Sequence, residues 1–381
     1  MSRSQTRDRL VLCRDAPFAY IKLMGQHDRL DSAGKVSSEF FERVIRPRCG
    51  RPRRGVIVGP QSGIDVGVVG IGHDQVAVLT TDPLYIFPPF GWERAAWFAV
   101  HIVASDAFTS GIAPKYASID LNLPLEIDDA MLETIWTAIH DTCDELGIAV
   151  VTGHTGRYEG CRFPIVGAVT LIGIGRSSDY VVPSMAQLGD EVIVTKGPAI
   201  ETTATIAAAC PRLVAKRCGR DRLSEAEALF RQMSVVEDAR TAAGVGVRDA
   251  GVTSMHDATE GGLWNALNEV SQACGCAMRI EQARIPMPES VRAVCEAFGI
   301  DPFCAGSEGT LVITCRPSQS AEVVKRLRAS GIEAAVIGEL SGKGSGVTVT
   351  TDGSQTTIPP TVSDGFWRAL QKATGDEAAM R

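Results

Sequence analysis

The feature that most constrains this chain is a set of runs rich in β-branched residues, each with an acid at or near one end and glycine or threonine within two positions of that acid. They occur as SGIDVGVV around Asp65, as VAVLTTDP at Asp82 and as GVTSMHDATEGG at Asp257. Such runs read as strands ending in turn chemistry, and the segments between them carry helical periodicity. KVSSEFFERVIRP, Lys35 to Pro47, reads as an amphipathic helix, and ERAAWFAVHIVASDAFTSG, Glu93 to Gly111, as a helix apolar almost all round. In Ile127 to Gly147 apolar residues recur every four positions, with acids near the start and glycine at the end, a pattern that suits the helix dipole and a left-handed cap. GIAVV, Gly147 to Val151, is expected to be a short strand running into a polar turn, TGHTGRYEG, which FPIVGAVTLIGIG leaves as a long strand. Residues 1–180 therefore predict a mixed α/β domain.

A turn-rich stretch, Ser177 to Asp190, precedes a second alternation of strands and helices. EVIVTKG, GVTSMHD, GTLVITC and EAAVIGEL read as strands, with helices expected at Ala199 to Cys210, Leu223 to Gly246, Gly261 to Gly275 and Ser318 to Ser330. That predicts a second α/β domain over residues 181–345. Residues 346–381 are expected to be a polar tail in which only FWRAL docks, with the last ten or so unstructured.

Composition removes several function classes. A net charge of −7, with no basic block beyond CGRPRRG, offers no footprint for nucleic acid or an anionic membrane. No segment resembles a signal peptide or an uninterrupted spanning helix, so a cytoplasmic protein is expected. The eleven cysteines are scattered without a CxxC pair, which reads as reduced thiols rather than a zinc site.

An isolated aspartate at a turn is ordinarily a cap. Three of them at element ends near glycines, Asp65, Asp82 and Asp106, could instead gather oxygen ligands around a hard cation. Magnesium that holds nucleotide phosphates uses one or two carboxylates plus the phosphates themselves. In the second domain Asp257 and Glu260 precede Gly261 and Gly262 at a helix start, whose free N–H groups read as an anion site. Glu308 sits in a further glycine-flanked turn, GSEGT, which could be a plain hairpin turn.

The collinear segments SGIDVGVV, VAVLTTDPLY, VASDAFTSGIAPKY, IAVVTGHTGRYE, EVIVTKG, MHDATEGG and GSEGTLVI resemble the aminoimidazole ribonucleotide synthetase (PurM-like) superfamily. The likeness is greatest to the hydrogenase-maturation carbamoyl dehydratases (HypE) and their relatives. It spans roughly Gly34 to Leu340, and SDAFTSGIAPKY and DATEGG…LNE carry it most specifically. The resemblance implies a two-domain fold, a homodimer made through the first sheet, and ATP in a cleft of the first domain. It implies transfer of ATP's terminal phosphate to an amide- or carbamoyl-like oxygen of a small substrate. Asp65, Asp82 and Asp106 would hold magnesium and phosphates, Gly153, Thr155 and Arg157 would contact the nucleotide, and Lys35 would approach the phosphates. His154, Asp257 and Glu308 would stand at the chemistry. Three departures accompany it: a chain ending GDEAAMR rather than in a cysteine, His154 where an acid is expected, and a longer polar loop, QHDRLDSAGK. The expected protein is therefore an ATP-dependent enzyme other than the standard dehydratase. The alternatives are a small-molecule kinase resembling thiamine monophosphate kinase, or a non-catalytic dimeric module binding a maturation partner.

Overall fold

A computed structural model describes residues 34–360 and 362–380. Most of QHDRLDSAGK lies outside them, and only Gly34 and Lys35 of that loop are placed. Among the described residues the strands form two sheets, one for each predicted domain.

The first sheet comprises β1 (Val56–Val58), β2 (Gly67–Gly72), β3 (Gln75–Tyr85), β4 (Pro114–Leu123), β5 (Ala149–Arg157) and β6 (Ile165–Arg176), in the order β1-β2-β3-β6-β4-β5. Only β4 and β5 pair in parallel, as a strand–helix–strand connection requires. The helices α1 (Trp92–Thr109) and α2 (Asp129–Leu146) pack together, with α1 on the sheet. α2 starts where the Asp128 carboxylate accepts the Met131 N–H at 2.8 Å and ends at left-handed Gly147, so both signals in its sequence act as caps.

The second sheet has seven strands in the order β13-β12-β9-β11-β7-β10-β8. These are β7 (Glu191–Thr195), β8 (Val252–Ala258), β9 (Cys276–Glu281), β10 (Thr310–Cys315), β11 (Ala334–Lys343), β12 (Val347–Thr351) and β13 (Ser354–Thr357). Eight helices accompany them: α3 (Ile200–Ala209), α4 (Pro211–Cys218), α5 (Arg220–Ala228), α6 (Val236–Ala243), α7 (Gly262–Cys274), α8 (Glu289–Phe298), α9 (Pro317–Ala329) and α10 (Phe366–Ala379). One continuous apolar core joins the domains, running from Phe98, Val103 and Leu121 to Ile200, Met255 and Val323. Among the described residues no helix is long and apolar enough to cross a membrane.

Four local expectations are corrected. TGHTGR is not a turn, because β5 continues through it to Arg157. Gly153 permits this: a Cβ there would fall 1.9 Å from the Ile119 carbonyl oxygen of β4. The segment after Lys35 forms only short helical turns at Ser38–Phe40, Phe41–Ile45 and Arg46–Arg48, and Phe40 and Ile45 stay exposed. The helix expected over Leu223 to Gly246 breaks between α5 and α6. Buried Lys196 occupies that break, its Nζ donating to the carbonyls of Ser234 (2.7 Å) and Gln232 (3.3 Å) and pairing with Asp238 at 2.9 Å. Finally, the polar tail is folded. It adds β12 and β13 to the sheet, and α10 buries Phe366, Leu370 and Ala373. Glu377 of α10 accepts the Leu213 N–H at 2.7 Å and binds Arg212 Nε at 2.8 Å, a carboxylate held at the positive end of α4.

Removing one member of a buried ion pair strands the other charge, which costs about 3–5 kcal/mol. Asp238→Ala is therefore expected to lower the free energy of unfolding by about 3 kcal/mol in urea titrations. A double variant, Asp238→Ala with Lys196→Met, should recover a good part of that loss.

Candidate active site at the domain junction

The acids expected from the sequence come from both domains. Asp65 lies in the loop between β1 and β2, Asp82 within β3, and Asp106 in the last turns of α1. The second domain brings His256 and Asp257 on β8 and Glu308 in the turn before β10. Thr80 Oγ1 lies 3.1 Å from Asp106 Oδ2 and 2.9 Å from the Asp65 carbonyl oxygen, linking two of the three first-domain acids.

His256 fastens the junction. Its Nδ1 is 2.8 Å from Asp65 Oδ2 and its Nε2 is 2.8 Å from Glu269 Oε2 on α7. Gly63, at φ +74°, lets the Asp65 loop lie flat on α7, since a Cβ there would sit 2.8 Å from Glu269 Cβ. Burial alone would favour a neutral ring, but the Asp65 and Glu269 carboxylates outweigh it and hold the His256 pKa well above its usual value. Burial likewise opposes ionisation of Asp65, and the imidazolium beside it reverses the balance and keeps Asp65 below the usual carboxylate value.

The remaining acids have no such partner. Burial first, and then Asp257, Asp65 and Asp82, push Asp106 well upward. Burial raises Asp82 to about 6 against the pull of Lys35, and burial with the Asp65 charge raises Asp257 to about 7. Glu308 is raised well above normal by burial and by Asp257 and Glu201. Lys35 stands at the exposed rim, its Nζ 3.2 Å from Thr259 Oγ1 and 3.5 Å from Glu260 Oε2. Burial opposes its charge, but Glu260 and the cluster acids hold the ammonium above its ordinary value.

Both carboxylate oxygens of Asp257 and Oε1 of Glu308 are buried without a hydrogen-bond partner. Orphaned buried acceptors of this kind are costly and call for a ligand. Ligand atoms of Asp65, His256 and Asp257 lie within 4.8 Å of one another. Both ring nitrogens of His256 are already committed, so the ring has no lone pair to offer a metal. What remains is a set of hard carboxylate oxygens, which fits magnesium rather than zinc.

The other expected site residues stand apart. Strand register aligns Asp82 with Val169, Val169 with Ile119, and Ile119 with Gly153. Three strand spacings put β5 about 14 Å from Asp82 within one protomer. His154 Nε2 lies 2.5 Å from Tyr158 Oη, and Thr155 is exposed on the same edge strand. Arg157 does not face the acids. It pairs with Asp129 Oδ1 at 2.5 Å and donates to the Ile127 carbonyl at 3.1 Å, bracing β5 against the start of α2. The anion site expected at the start of α7 is also corrected, because the Asp364 carboxylate accepts the Gly261 N–H at 2.9 Å.

Sequence reasoning missed Thr80, Glu201, His256, Glu269 and Asp364. His256 was signalled by its place beside Asp257, and Glu269 by the LNE segment of the resemblance. Glu201 and Asp364 carry no local pattern that marks them.

Two α/β domains with carboxylates from both gathered at their junction are the arrangement that the PurM-like resemblance implies. The sequence profile of the AIR synthase related protein N-terminal domain matches residues 63–175, and that of the C-terminal domain residues 187–350. Carbamoyl dehydratase HypE of Azotobacter vinelandii is 30% identical over 274 residues, 68% of this chain and 74% of that protein. HypE of Escherichia coli is 27% identical over 289 residues, 74% of this chain and 80% of that protein. The chain belongs to the AIR synthase related family and lies close to its HypE members. Three solved structures share the fold. One from a HypE–HypF complex has a TM-score of 0.65 at 19% identity, covering 84% of this chain and 99% of its own. HypE in complex with ATP gives 0.61 at 20%, covering 89% and 98%. The Aquifex aeolicus ThiL complexed with AMPPCP and TMP gives 0.64 at 20%, covering 88% and 100%.

Asp257 titrates at about 7 when folded and near 3.8 when not. Between those values the folded state binds more protons, so this group's contribution to stability falls as pH rises. Asp257→Asn removes that penalty. In metal-free protein at pH 8 its Tm is expected to exceed the wild type's by several degrees, and the Tm gain on adding magnesium should shrink. A lower Tm than wild type would show that Asp257 is satisfied within the fold.

Proposed function

We propose that this chain is an ATP-dependent enzyme that transfers the terminal phosphate of ATP to an amide- or carbamoyl-like oxygen of a small substrate. The observation that carries the reading is the junction itself, where buried carboxylates of both domains keep oxygens without protein partners. Solved relatives of the same fold with ATP or with AMPPCP and TMP support a nucleotide there. Asp65, Asp82, Asp106 and Asp257 would hold magnesium. The bound ion and nucleotide would supply charge neutralisation and the phosphoryl group.

The chain's own groups then divide the work. Lys35 sits on a long stem at the rim and would turn from Glu260 to the phosphates. His256 keeps Asp65 ionised and oriented. Glu308, in the turn before β10, would stand at the substrate end of the cleft. Phosphorylation converts a poor leaving oxygen into phosphate, after which loss of that phosphate gives dehydration or cyclisation. His154, Gly153 and Thr155 would serve a nucleotide extending toward β5, or the cleft of a second copy. Exposed Val150, Val151 and Ile165 on β5 and β6 support a homodimer through this sheet, and the solved HypE–HypF complex supports a maturation partner.

Loss of several kcal/mol of metal-borne stabilisation predicts that Asp106→Asn lowers magnesium-dependent ATP turnover by roughly 100-fold. His154→Ala removes an exposed side chain, so its unfolding free energy should stay within about 0.5 kcal/mol of wild type, while turnover falls. Absence of calorimetric binding of ATP with magnesium to the purified chain would sink the proposal.

A further inference from the structure

Beyond the phosphate-handling acids lies a second group that the proposed phosphoryl chemistry leaves unused. Glu201 occupies the first turn of α3, and Asp364 comes just before α10. Both converge on Gly306, where a Cβ would lie 3.1 Å from Glu201 Oε2 and 3.8 Å from Asp364 Oδ2. Each is fixed by backbone: Glu201 Oε2 accepts the Glu308 N–H at 3.2 Å, and Asp364 accepts the N–H groups of Gly261 at 2.9 Å and Phe366 at 2.7 Å. Beside them Glu308, only 2% exposed, keeps Oε1 unpartnered.

The charges bearing on this corner are of one sign. Glu260 and Asp364 act on Glu201, while Asp257, Glu201 and Asp106 act on Glu308. Burial, followed by these acids, raises Glu201 to about 7. The start of α7, where an anionic substrate group would otherwise bind, is already filled by Asp364. The nearby cation, Lys35, is held at the rim by Glu260 and Thr259.

We infer that this end of the cleft takes a substrate bearing an ammonium group, received by the carboxylates of Glu201, Asp364 and Glu308. Three N–H donors on one small cation match three carboxylates fixed on separate turns. Magnesium instead demands near-octahedral ligands and keeps several waters. The inference rests on the proposed function only in placing the acceptor's amide-like group at the same cleft.

The test compares three amides of similar size and different charge, glycinamide (cationic), propionamide (neutral) and malonamate (anionic), by calorimetry on the full chain without nucleotide. Glycinamide should bind at least about ten-fold more tightly than propionamide, the scale of one charge-assisted hydrogen bond, and malonamate least. Glu201→Gln keeps the side chain's shape and should bring the glycinamide to propionamide ratio within about two-fold. Asp364→Asn provides the same readout should the first variant unfold on melting. Tighter binding of malonamate, or a ratio unchanged in the folded variants, overturns the inference. So does stoichiometric displacement of glycinamide by magnesium that Glu201→Gln abolishes, which would make the corner a second metal site. Because no nucleotide is present, failure here leaves ATP binding standing, and failure of ATP turnover leaves this result standing.

Discussion

Repulsion among carboxylates confined to one poorly solvated junction is the interaction on which the rest of the structure depends. Asp65, Asp106, Asp257 and Glu308 come from four separate elements, and left to themselves they would drive the domains apart. The imidazolium of His256 is the internal counter-charge, tied to Asp65 on one side and Glu269 on the other. A continuous apolar core supplies the remaining restraint, since area-proportional burial is insensitive to the local field. The acids that the imidazolium does not reach gain a favourable counter-charge only when a cation joins them. That is the electrostatic condition for capturing cations from solution.

The same accounting explains how the cleft divides. Around Asp65 and Asp257 the ligand oxygens lie within 4.8 Å of one another and suit a compact hard ion. Toward α3 and α10 the acids are anchored by backbone N–H groups of different turns.

How much of this was legible in the sequence depended on how local each signal was. Helices α1 and α2, the strands β3, β6, β7, β8 and β10, and the acids at Asp65, Asp82, Asp106, Asp257 and Glu308 announce themselves within a few residues through periodicity and turn chemistry. What was not legible was set by distant parts of the chain. TGHTGR looks like a turn because glycine and polar residues favour turns, yet the backbone of β4 passes so close to Gly153 that an extended strand is what fits. The helix break near Ser234 depends on Lys196, some forty positions away. The tail reads as polar because α10 buries one narrow stripe and ties Glu377 to α4. The capture of the α7 start by Asp364 links residues 103 positions apart.

β8 closes the second sheet as an edge strand, yet every one of its seven residues is buried. An edge normally needs charge, proline or a bulge to prevent other strands from adding to it. β8 carries His256 and Asp257, and α1 of the first domain also lies against it, so one domain helps to shield the other's edge. Separated from its neighbour, the second domain would present this strand's unpaired backbone groups together with Val252, Met255 and Ala258. In this architecture the two halves are consequently a single unit of solubility as well as of chemistry, and partial synthesis or domain opening would carry an aggregation hazard that the intact chain does not.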